Sequence, residues 1–434
     1  MQTPREICMK LLVSTEKNAS FSNIALDKTL VRYPMLRDVD KRFISALYYG
    51  VIERKITLDE VIKKYSSRPI DKLSDAVRQI LRMGIYQLLY MDSVPDSAAV
   101  NESVILSKDN KNPAVSGFVN ALLRSFIRDG KKLPTKNSRI YNLSVEYSCP
   151  EWLIETWLGD YGEEVCKAML RSSIGKAPVT VRLNTCKFSY DKIVLQLDNE
   201  NVSYKAVDAV PDCLELFGCG SIEKLEAYKR GMLHVQDVSC QICVHELDAK
   251  AGDTVLDMCS APGGKAFTCA EIMNNEGTVL AFDLHEKRVG LINSGAERLG
   301  LNCIKANTNN AKVYNDKMPL ADAVLCDVPC SGLGVIRRKP EIKYSDRVQL
   351  SGLPAVQYDI LNTSSRYVKK GGFLLYSTCT VLREENDDIV ERFLKENPDF
   401  EPVKLDRFTD YKQTITPDMF GSDGFFIAKL RRKE

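Results

Sequence analysis

From about residue 236 onward, short strand-like apolar segments alternate with helix-like segments. This alternation predicts an α/β fold, a parallel sheet with helices on both faces. Strands are predicted at residues 254–258, 278–282, 302–305, 323–326 and 373–377. Helices are predicted at residues 265–273, 286–299, 355–369 and 384–396. A final extended segment, residues 424–430, is expected to add an edge or antiparallel strand.

The first 130 residues have a different pattern, because their apolar side chains recur at helical spacing almost throughout. Short polar breaks separate the predicted helices, so an antiparallel bundle is the economical arrangement. Residues 129–138 are rich in charge and helix-breaking residues and are interpreted as a linker. The following segment, residues 145–235, predicts a small α+β unit, with strand-like residues at 179–183 and 204–207 and a helix at 190–198.

Charge is distributed unevenly along the chain. The chain has 60 Lys+Arg and 58 Asp+Glu; residues 1–132 hold 22 and 15 of these, a net +7, which leaves 38 and 43, a net −5. A basic amino-terminal third is a modest reason to expect an anionic partner such as RNA. A helical domain with a solvated basic surface explains the same charge about equally well.

The sequence has no secretory hydrophobic region and no apolar run that approaches the length of a bilayer span, so a cytoplasmic protein is expected. Its 14 cysteines are then expected to be reduced thiols rather than a disulfide framework. Cys240 and Cys243 form the only C-x-x-C motif. A zinc or redox site is one interpretation, and buried thiols on an amphipathic helix are the favoured one.

Cys330 and Cys379 each follow a predicted buried strand, at the point where the strand runs into a loop. A Gly-rich turn, residues 257–265, follows an earlier strand. Ligands of open α/β sheets bind outside the carboxyl ends of the strands, so both thiols and the turn are expected at one crevice. Two thiols beside a cofactor suggest one nucleophile and one helper.

The Gly-rich turn is suited to a close-fitting ligand. Gly263 and Gly264 allow close backbone approach, and the helix that follows offers free N–H groups. The turn matches neither the dinucleotide fingerprint nor the P-loop. Asp283, at the end of the next predicted strand, is placed to accept hydrogen bonds from both hydroxyls of a ribose.

Three motifs in this order resemble those of RNA cytosine-C5 methyltransferases. They are residues 257–265 (DMCSAPGGK), residues 327–332 (DVPCSG), and residues 376–379 (YSTC) with Glu384, Glu385 and Asn386. The resemblance is closest to the Sun/Fmu-type enzymes of family B, which methylate bacterial 16S ribosomal RNA. It implies a NusB-like helical RNA-binding domain at residues 1–132, a small α+β domain at 145–235, and a Rossmann-like class I methyltransferase domain at 236–434.

The same resemblance implies S-adenosylmethionine as cofactor. The cofactor-binding residues would be Cys259, Ser260, Ala261, Pro262, Gly263, Gly264, Lys265, Asp283, Asn307 and Asp327. Within this set, Asp283 would bind the ribose. The family usually has an Asp near the adenine where this chain has Asn307, which retains an acceptor oxygen but brings no charge, so cofactor affinity is the property in question.

The chemistry of cytosine agrees with the family mechanism. C5 is a poor nucleophile, and a thiolate that adds to C6 turns C5 into an enamine-like carbon able to attack a methyl group. Cys379 matches the nucleophile, and Asp327 is the candidate that protonates N3 or stabilises charge there. Cys330 matches the residue linked to release of the product. The target base must leave its stack or be presented single-stranded.

Several alternatives remain open on the sequence alone. Arg337, Arg338 and Lys339 suit phosphate contact, and a solvated basic loop is about equally expected. Gln236 and Asp237 resemble a family segment that enters the catalytic domain, or they cap a helix. The leading hypothesis is a monomeric, metal-free enzyme acting on 16S ribosomal RNA. The same chemistry on transfer RNA and a non-catalytic RNA-binding or assembly protein are the competitors.

Overall fold

The protein is described by a computed structural model, which covers residues 2–18, 22–108 and 113–434. The chain forms two compact units. Unit 1 comprises Met1–Gly175 and Ile336–Ser345, and unit 2 comprises Lys176–Val335 and Asp346–Glu434. In the part of the chain that the structure covers, no helix is long and apolar enough to cross a membrane.

Unit 1 is all-helical. Its helices are α1 (Pro4–Asn18), α2 (Ser22–Arg32), α3 (Asp38–Glu53), α4 (Lys55–Tyr65), α5 (Asp75–Tyr90), α6 (Asp96–Lys108), α7 (Pro113–Arg128), α8 (Arg139–Tyr147) and α9 (Glu151–Ser172). Two 3-10 helices, Ile70–Lys72 and Pro340–Tyr344, complete it. The predicted helical region is confirmed, and residues 129–138 form the predicted linker before α8.

Helix α5 is the centre of unit 1, since it packs against α1, α3, α4, α6 and α7. Ser74 caps its amino terminus by accepting a hydrogen bond from the Val77 N–H. Gly84 permits close packing, because a Cβ there would lie 2.8 Å from Ser103 Oγ and 3.0 Å from Leu123. The apolar positions predicted from helical spacing are therefore the core of this bundle.

Unit 2 contains two sheets. Its strands are β1 (Val179–Leu183), β2 (Ser203–Ala206), β3 (Cys213–Phe217), β4 (Leu233–Val235), β5 (Thr254–Asp257), β6 (Thr278–Asp283), β7 (Ile304–Thr308), β8 (Ala321–Asp327), β9 (Val368–Thr378), β10 (Phe400–Pro402), β11 (Lys412–Ile415) and β12 (Phe425–Arg432). Its helices are α10 (Tyr190–Asn199), α11 (Glu226–Lys229), α12 (Val238–His245), α13 (Gly264–Ile272), α14 (Glu286–Leu299), α15 (Arg347–Leu350), α16 (Leu353–Ser365), α17 (Asp387–Glu396) and α18 (Pro417–Phe420).

The small sheet has the order β2-β3-β1-β4 and is antiparallel throughout. Ile193 and Leu197 of α10 pack with Val181 and Leu183 of β1 in its core. This arrangement confirms the α+β prediction. Strands β3 and β4 were not predicted; β4 has three residues, which is too short to show a period of two.

The large sheet has the order β10-β12-β9-β8-β5-β6-β7, with β11 paired to β12. Strands β5 to β9 are parallel to one another, and β12 is antiparallel to β9. The chain runs from β5 to β6 on one side and returns to β8 on the other. Strand order therefore reverses at β5, where open α/β sheets form their ligand crevice.

Among the differences from the prediction, three concern the large sheet. The helix expected at 355–369 ends at Ser365, because residues from Val368 onward already pair with β8. The strand expected at 302–305 lies at Ile304–Thr308, so Asn307 is inside a strand rather than after it. The final segment, β12, is antiparallel as expected but lies between β9 and β10 rather than at an edge. Its residues 425–430 are all buried, as in an interior strand.

Candidate active site

The carboxyl ends of the parallel strands bring the predicted residues to one edge of the large sheet. Asp257 ends β5, Asp283 ends β6 and Asp327 ends β8. Cys379 follows the last residue of β9 directly. The whole set lies within unit 2. Sequence reasoning therefore predicted correctly which segments meet at this edge.

The Gly-rich turn between β5 and α13 is fixed by its own backbone. The Ser260 N–H donates to the Phe282 carbonyl over 2.7 Å, and the Gly263 N–H donates to the Ser260 carbonyl over 2.8 Å. Gly263 has φ +110°, and a Cβ there would lie 2.4 Å from the Phe267 ring, so only glycine fits. Gly264 begins α13, whose first N–H groups have no partner within the helix.

Of the other turn residues, Cys259 is half-buried, Ser260 and Ala261 are buried, and Pro262 is exposed. Burial raises the pKa of the Cys259 thiol well above its usual value. A neutral thiol is therefore expected at this position.

Arg288 joins this turn to the neighbouring strand end. Its Nη2 donates to the Ala261 carbonyl over 2.8 Å, and its Nη1 lies 3.2 Å from Asp283 Oδ2. The Asp283 Oδ1 accepts from the His285 N–H over 3.0 Å. Asn307 is exposed on β7, in register with Phe282. Sequence reasoning missed Arg288, whose position one helical turn into α14 gave no signal.

Lys265 and Asp327 form an ion pair across the crevice. The Lys265 Nζ lies 2.7 Å from Asp327 Oδ2, and Ser377 Oγ donates to Oδ1 over 2.9 Å. Burial lowers the pKa of Lys265, but the charge of Asp327 outweighs it and the pKa lies well above its usual value. Lys265 is one of the expected cofactor-binding residues, and the structure places its Nζ on this carboxylate.

The two predicted thiols meet at the same edge. The Sγ atoms of Cys330 and Cys379 lie 3.2 Å apart, and neither cysteine forms a disulfide. The hydrogen bond to Cys379 and burial together raise the pKa of the Cys330 thiol well above its usual value. The raised pKa favours a protonated Cys330 thiol in contact with the sulfur of Cys379.

Glu385 holds the loop that carries Cys330. Its Oε2 accepts from the Ser331 N–H over 2.9 Å and from Gln357 Nε2 over 2.7 Å, and its Oε1 accepts from the Ser331 hydroxyl. Gln357 also donates to the Pro329 carbonyl over 3.1 Å. The hydrogen bonds to the buried carboxylate of Glu385 therefore hold the loop of Cys330 in a fixed position. The sequence motif contained Glu385 but did not indicate this role.

The loop of Cys379 is fixed in the same way. Thr378 Oγ1 donates to Asn386 Oδ1 over 2.6 Å, and Asn386 Nδ2 donates to the Thr380 carbonyl over 3.0 Å. The Gly334 N–H donates to the Cys379 carbonyl over 2.9 Å. The backbones of the two cysteine loops are therefore joined directly as well as through their thiols.

The remaining candidates lie around this centre or outside it. Gln236 Nε2 donates to the Gly264 carbonyl over 3.1 Å, and Asp237 caps α12 by accepting from the Ser239 N–H over 3.0 Å. Arg337, Arg338 and Lys339 belong to the segment Ile336–Ser345 of unit 1.

The C-x-x-C cysteines, Cys240 and Cys243, lie on α12 as half-buried and buried thiols, in line with the favoured interpretation. Burial raises the pKa of Cys240 to about 12. Among the residues that the structure covers, no group of three or more His, Cys, Asp or Glu side chains is arranged to hold a metal ion.

Comparison with family models gives three matches. Residues 244–431 match the 16S rRNA methyltransferase RsmB/F model, residues 2–128 match the NusB family, and residues 149–223 match the ferredoxin-like domain of RsmF/B-like methyltransferases. The small four-stranded antiparallel sheet of unit 2 therefore belongs to a ferredoxin-like domain. These matches confirm the resemblance that the three motifs indicated.

Whole-chain relatives agree with the family models. The probable ribosomal RNA small subunit methyltransferase B of Bacillus subtilis is 36% identical over 99% of this chain and 98% of its own length. The crystal structure of PH0851 superposes with a TM-score of 0.83 at 25% identity, covering 100% of this chain and 99% of that one. A methyltransferase homologue from Pyrococcus horikoshii superposes with a TM-score of 0.61 at 25% identity, covering 69% and 100%.

Proposed function

Because the chain belongs to the RsmB/F family of 16S rRNA methyltransferases, we propose that it transfers a methyl group from S-adenosylmethionine to C5 of one cytosine in 16S ribosomal RNA. The observation that carries this proposal is the pair of thiols, Cys330 and Cys379, whose sulfur atoms lie 3.2 Å apart beyond neighbouring strand ends. Methylation at C5 needs a nucleophile at C6 and later a base at C5, and two adjacent thiols provide both.

The crevice fits S-adenosylmethionine, which supplies an electrophilic methyl group when bound. Gly264 presents backbone without a side chain at the start of α13, next to the turn formed by Cys259 to Gly263. Asp283, on the adjacent strand end, supplies carboxylate oxygens for ribose hydroxyls. Asn307 supplies an amide oxygen beside it but no charge. The residues present therefore suit the cofactor. Asn307 is the residue expected to affect affinity for its adenine end.

Cys379 is the nucleophile in this proposal. Cys379 matches the nucleophile of the family motif, and the hydrogen bond to Cys379 and burial raise the pKa of Cys330, so Cys330 keeps its proton while Cys379 reacts as the thiolate. The thiolate is the reactive form of cysteine. Its sulfur forms a bond to C6 of the cytosine, and the electron pair of the C5–C6 double bond becomes available at C5 for attack on the methyl carbon.

Asp327 and Lys265 balance the charge that this addition creates. As sulfur adds to C6, electron density moves toward N3, which then takes up a proton. We assign to Asp327 the hydrogen bond that stabilises N3 once it has taken a proton from solvent, and to Lys265 the orientation of Asp327, since Nζ and Oδ2 are 2.7 Å apart. Ser377 holds the second oxygen of Asp327 in place. A fixed hydrogen-bonded pair at the strand end needs little reorganisation during the reaction.

Cys330 completes the cycle as a base. After methyl transfer, C5 carries one hydrogen too many, and removal of its proton re-forms the C5–C6 bond and expels the sulfur of Cys379. The negative charge on Cys379 is gone while it is bonded to C6, and with it one cause of the raised pKa of Cys330. The pKa of Cys330 therefore falls at this stage, so its thiol releases its own proton to solvent and the resulting thiolate accepts the C5 proton.

We further propose residues 1–132 as an RNA-binding domain, 145–235 as the small domain and 236–434 as the methyltransferase domain. The family matches at residues 2–128, 149–223 and 244–431 fall inside these ranges. The net charge of +7 over residues 1–132 favours an RNA partner for the first domain. An enzyme with this substrate is expected to act in the cytoplasm as a monomer.

The proposal is tested with wild type and Cys379→Ala, each incubated with S-adenosylmethionine and unmodified 16S RNA, followed by mapping of 5-methylcytidine. One new site with wild type alone would establish the reaction, the substrate and the nucleophile together. Cofactor binding by both proteins, measured by calorimetry, is the control. No site with wild type despite cofactor binding would contradict the proposal and favour a transfer RNA or an assembly role.

A further inference from the structure

A cavity of about 310 Å³ lies in unit 2, and its lining combines apolar, aromatic and charged side chains. The principal lining residues are Lys176, Thr180, Val207, Glu215, Val238 and Phe420. We propose that this cavity binds a nucleotide of the RNA substrate that flanks the target cytosine. The inference rests on the proposed function and adds a substrate subsite to it.

One wall of the cavity is joined to the Gly-rich turn. Thr180 and Glu215 are register partners in β1 and β3, so their side chains lie on the same face of the small sheet. Thr180 Oγ1 donates to the Gln236 carbonyl over 2.9 Å, and the Gln236 N–H donates to the Thr180 carbonyl over 3.1 Å. Gln236 in turn contacts the carbonyl of Gly264. Gln236 therefore links this wall of the cavity to the Gly-rich turn through hydrogen bonds.

The opposite wall is joined to Cys379. Phe420 ends α18, and the chain reaches Gly424 four residues later, a span of at most about 14 Å. The Gly424 N–H donates to the Gly334 carbonyl and the Gly334 N–H donates to the Cys379 carbonyl, each over 2.9 Å. Short chains of hydrogen bonds therefore connect the two walls of the cavity to the cofactor turn and to the loop of Cys379.

The lining chemistry suits a nucleotide. Phe420 is half-buried with its ring packed edge-on against Phe408 at 6.4 Å, and Val207 and Val238 extend this apolar wall. Bases stack on such aromatic surfaces in a sequence-tolerant way. Lys176 is exposed at the cavity and is suited to a phosphate. Glu215 accepts N–H groups of a base edge, and its charge disfavours a phosphate on its own side.

The volume of the cavity limits the size of the ligand that it binds. At about 310 Å³ it falls at the lower end of small-ligand sites and accommodates one nucleotide. It lies between a sheet of one subdomain and the helices α12 and α18 of another, where ligand sites commonly form. We therefore assign it to one unpaired nucleotide of the strand that enters the crevice.

The test measures binding of unmodified 16S RNA to the full-length protein by filter binding over a range of salt concentrations. Phe420→Leu keeps apolar volume but removes the ring, and Lys176→Ala removes the cation. Lys250→Ala is the matched control, since Lys250 is an exposed lysine of unit 2 away from the cavity lining. Thermal unfolding and cofactor affinity of each variant exclude a folding defect.

Phe420→Leu is expected to weaken RNA binding by about fivefold or more, which corresponds to the loss of one stacked base. Lys176→Ala is expected to reduce the slope of log affinity against log salt by about 0.7 relative to wild type. RNA cross-linked by ultraviolet light should be attached to the peptide that contains Phe420.

The proposal is overturned if Phe420→Leu and Lys176→Ala change RNA binding no more than Lys250→Ala does. Cross-links confined to other peptides would overturn it as well. These readouts do not depend on catalysis. If wild type binds 16S RNA but forms no 5-methylcytidine, the proposed function is contradicted. The binding measurements then still test whether the cavity binds a nucleotide. Wild type that does not bind the RNA at all would contradict both.

Discussion

The sulfur atoms of Cys330 and Cys379 lie 3.2 Å apart although 49 residues separate the two cysteines in the chain. The reason is the pairing of β8 with β9, in which Asp327 lies opposite Ser377. Cys330 follows Asp327 by three residues and Cys379 follows Ser377 by two, so both loops begin at the same level of the sheet. This register brings the two thiols together at the edge of the sheet.

Replacement of Cys330 by alanine should trap the reaction at its covalent stage. Addition of Cys379 to C6 does not need Cys330, but removal of the C5 proton does, so the protein should remain attached to the RNA. The measurement is a denaturing gel, on which a slow band requires S-adenosylmethionine and RNA. The double variant with Cys379→Ala should show no such band. Normal turnover by Cys330→Ala would contradict the assignment.

Glu385→Gln should impair catalysis more than stability. A glutamine retains one acceptor oxygen where Glu385 uses two, and its amide N–H groups would oppose the donors of Ser331 or Gln357. The loop of Cys330 should shift, and kcat should fall between about tenfold and about hundredfold. Steady-state methylation assays measure this change. Exposed Glu384→Gln is the control and should behave as wild type.

Gly334→Ala should disrupt both cysteine loops. A Cβ at this position would lie 1.9 Å from the Gly424 carbonyl oxygen and 2.8 Å from the Cys379 carbonyl oxygen, so backbone must move. The expected cost is about 1–3 kcal/mol or more in the free energy of unfolding, with loss of methylation. Calorimetric unfolding is the measurement. Gly352→Ala, with no atom within 4 Å of its Cβ, should change neither property.

Asp257 should make stability depend on pH. Burial raises the pKa of this carboxyl group to about 7, against roughly 4 in an unfolded chain. Between these values the unfolded state releases the proton and the folded state keeps it, so stability is full below about pH 4 and falls as pH rises toward 7.

Asp257→Asn removes this ionisation. The stability of the variant relative to wild type should therefore increase by about 2–3 kcal/mol between pH 5 and pH 8, at about 1.4 kcal/mol for each pKa unit. Thermal unfolding of both proteins at the two pH values measures the difference. A difference between the proteins that does not change with pH would show that Asp257 ionises as readily in the folded protein.

Much of the fold followed from local patterns. Helical spacing in the first 130 residues and strand–helix alternation after residue 236 both correspond to observed elements. The errors lie where local signals are weak. Strand β4 has only three residues. Strand β9 contains Lys369, Lys370, Gly371 and Gly372 near its start, a composition typical of a helix end or loop. Pairing with β8 makes this segment a strand despite its composition.

The amino-acid sequence alone determined that the chain contains an α/β unit, a helical unit and three motifs at strand ends, because periodicity and turn residues are local properties. It also determined that Cys330, Cys379 and Asp327 share one edge, since parallel strands end together. Only the tertiary structure decided that Lys265 pairs with Asp327, that Arg288 bridges Ala261 and Asp283, and that Glu385 holds Ser331. These contacts form over 2.5 to 3.2 Å between segments distant in sequence. Their existence depends on strand order and loop packing, which no local pattern of residues specifies.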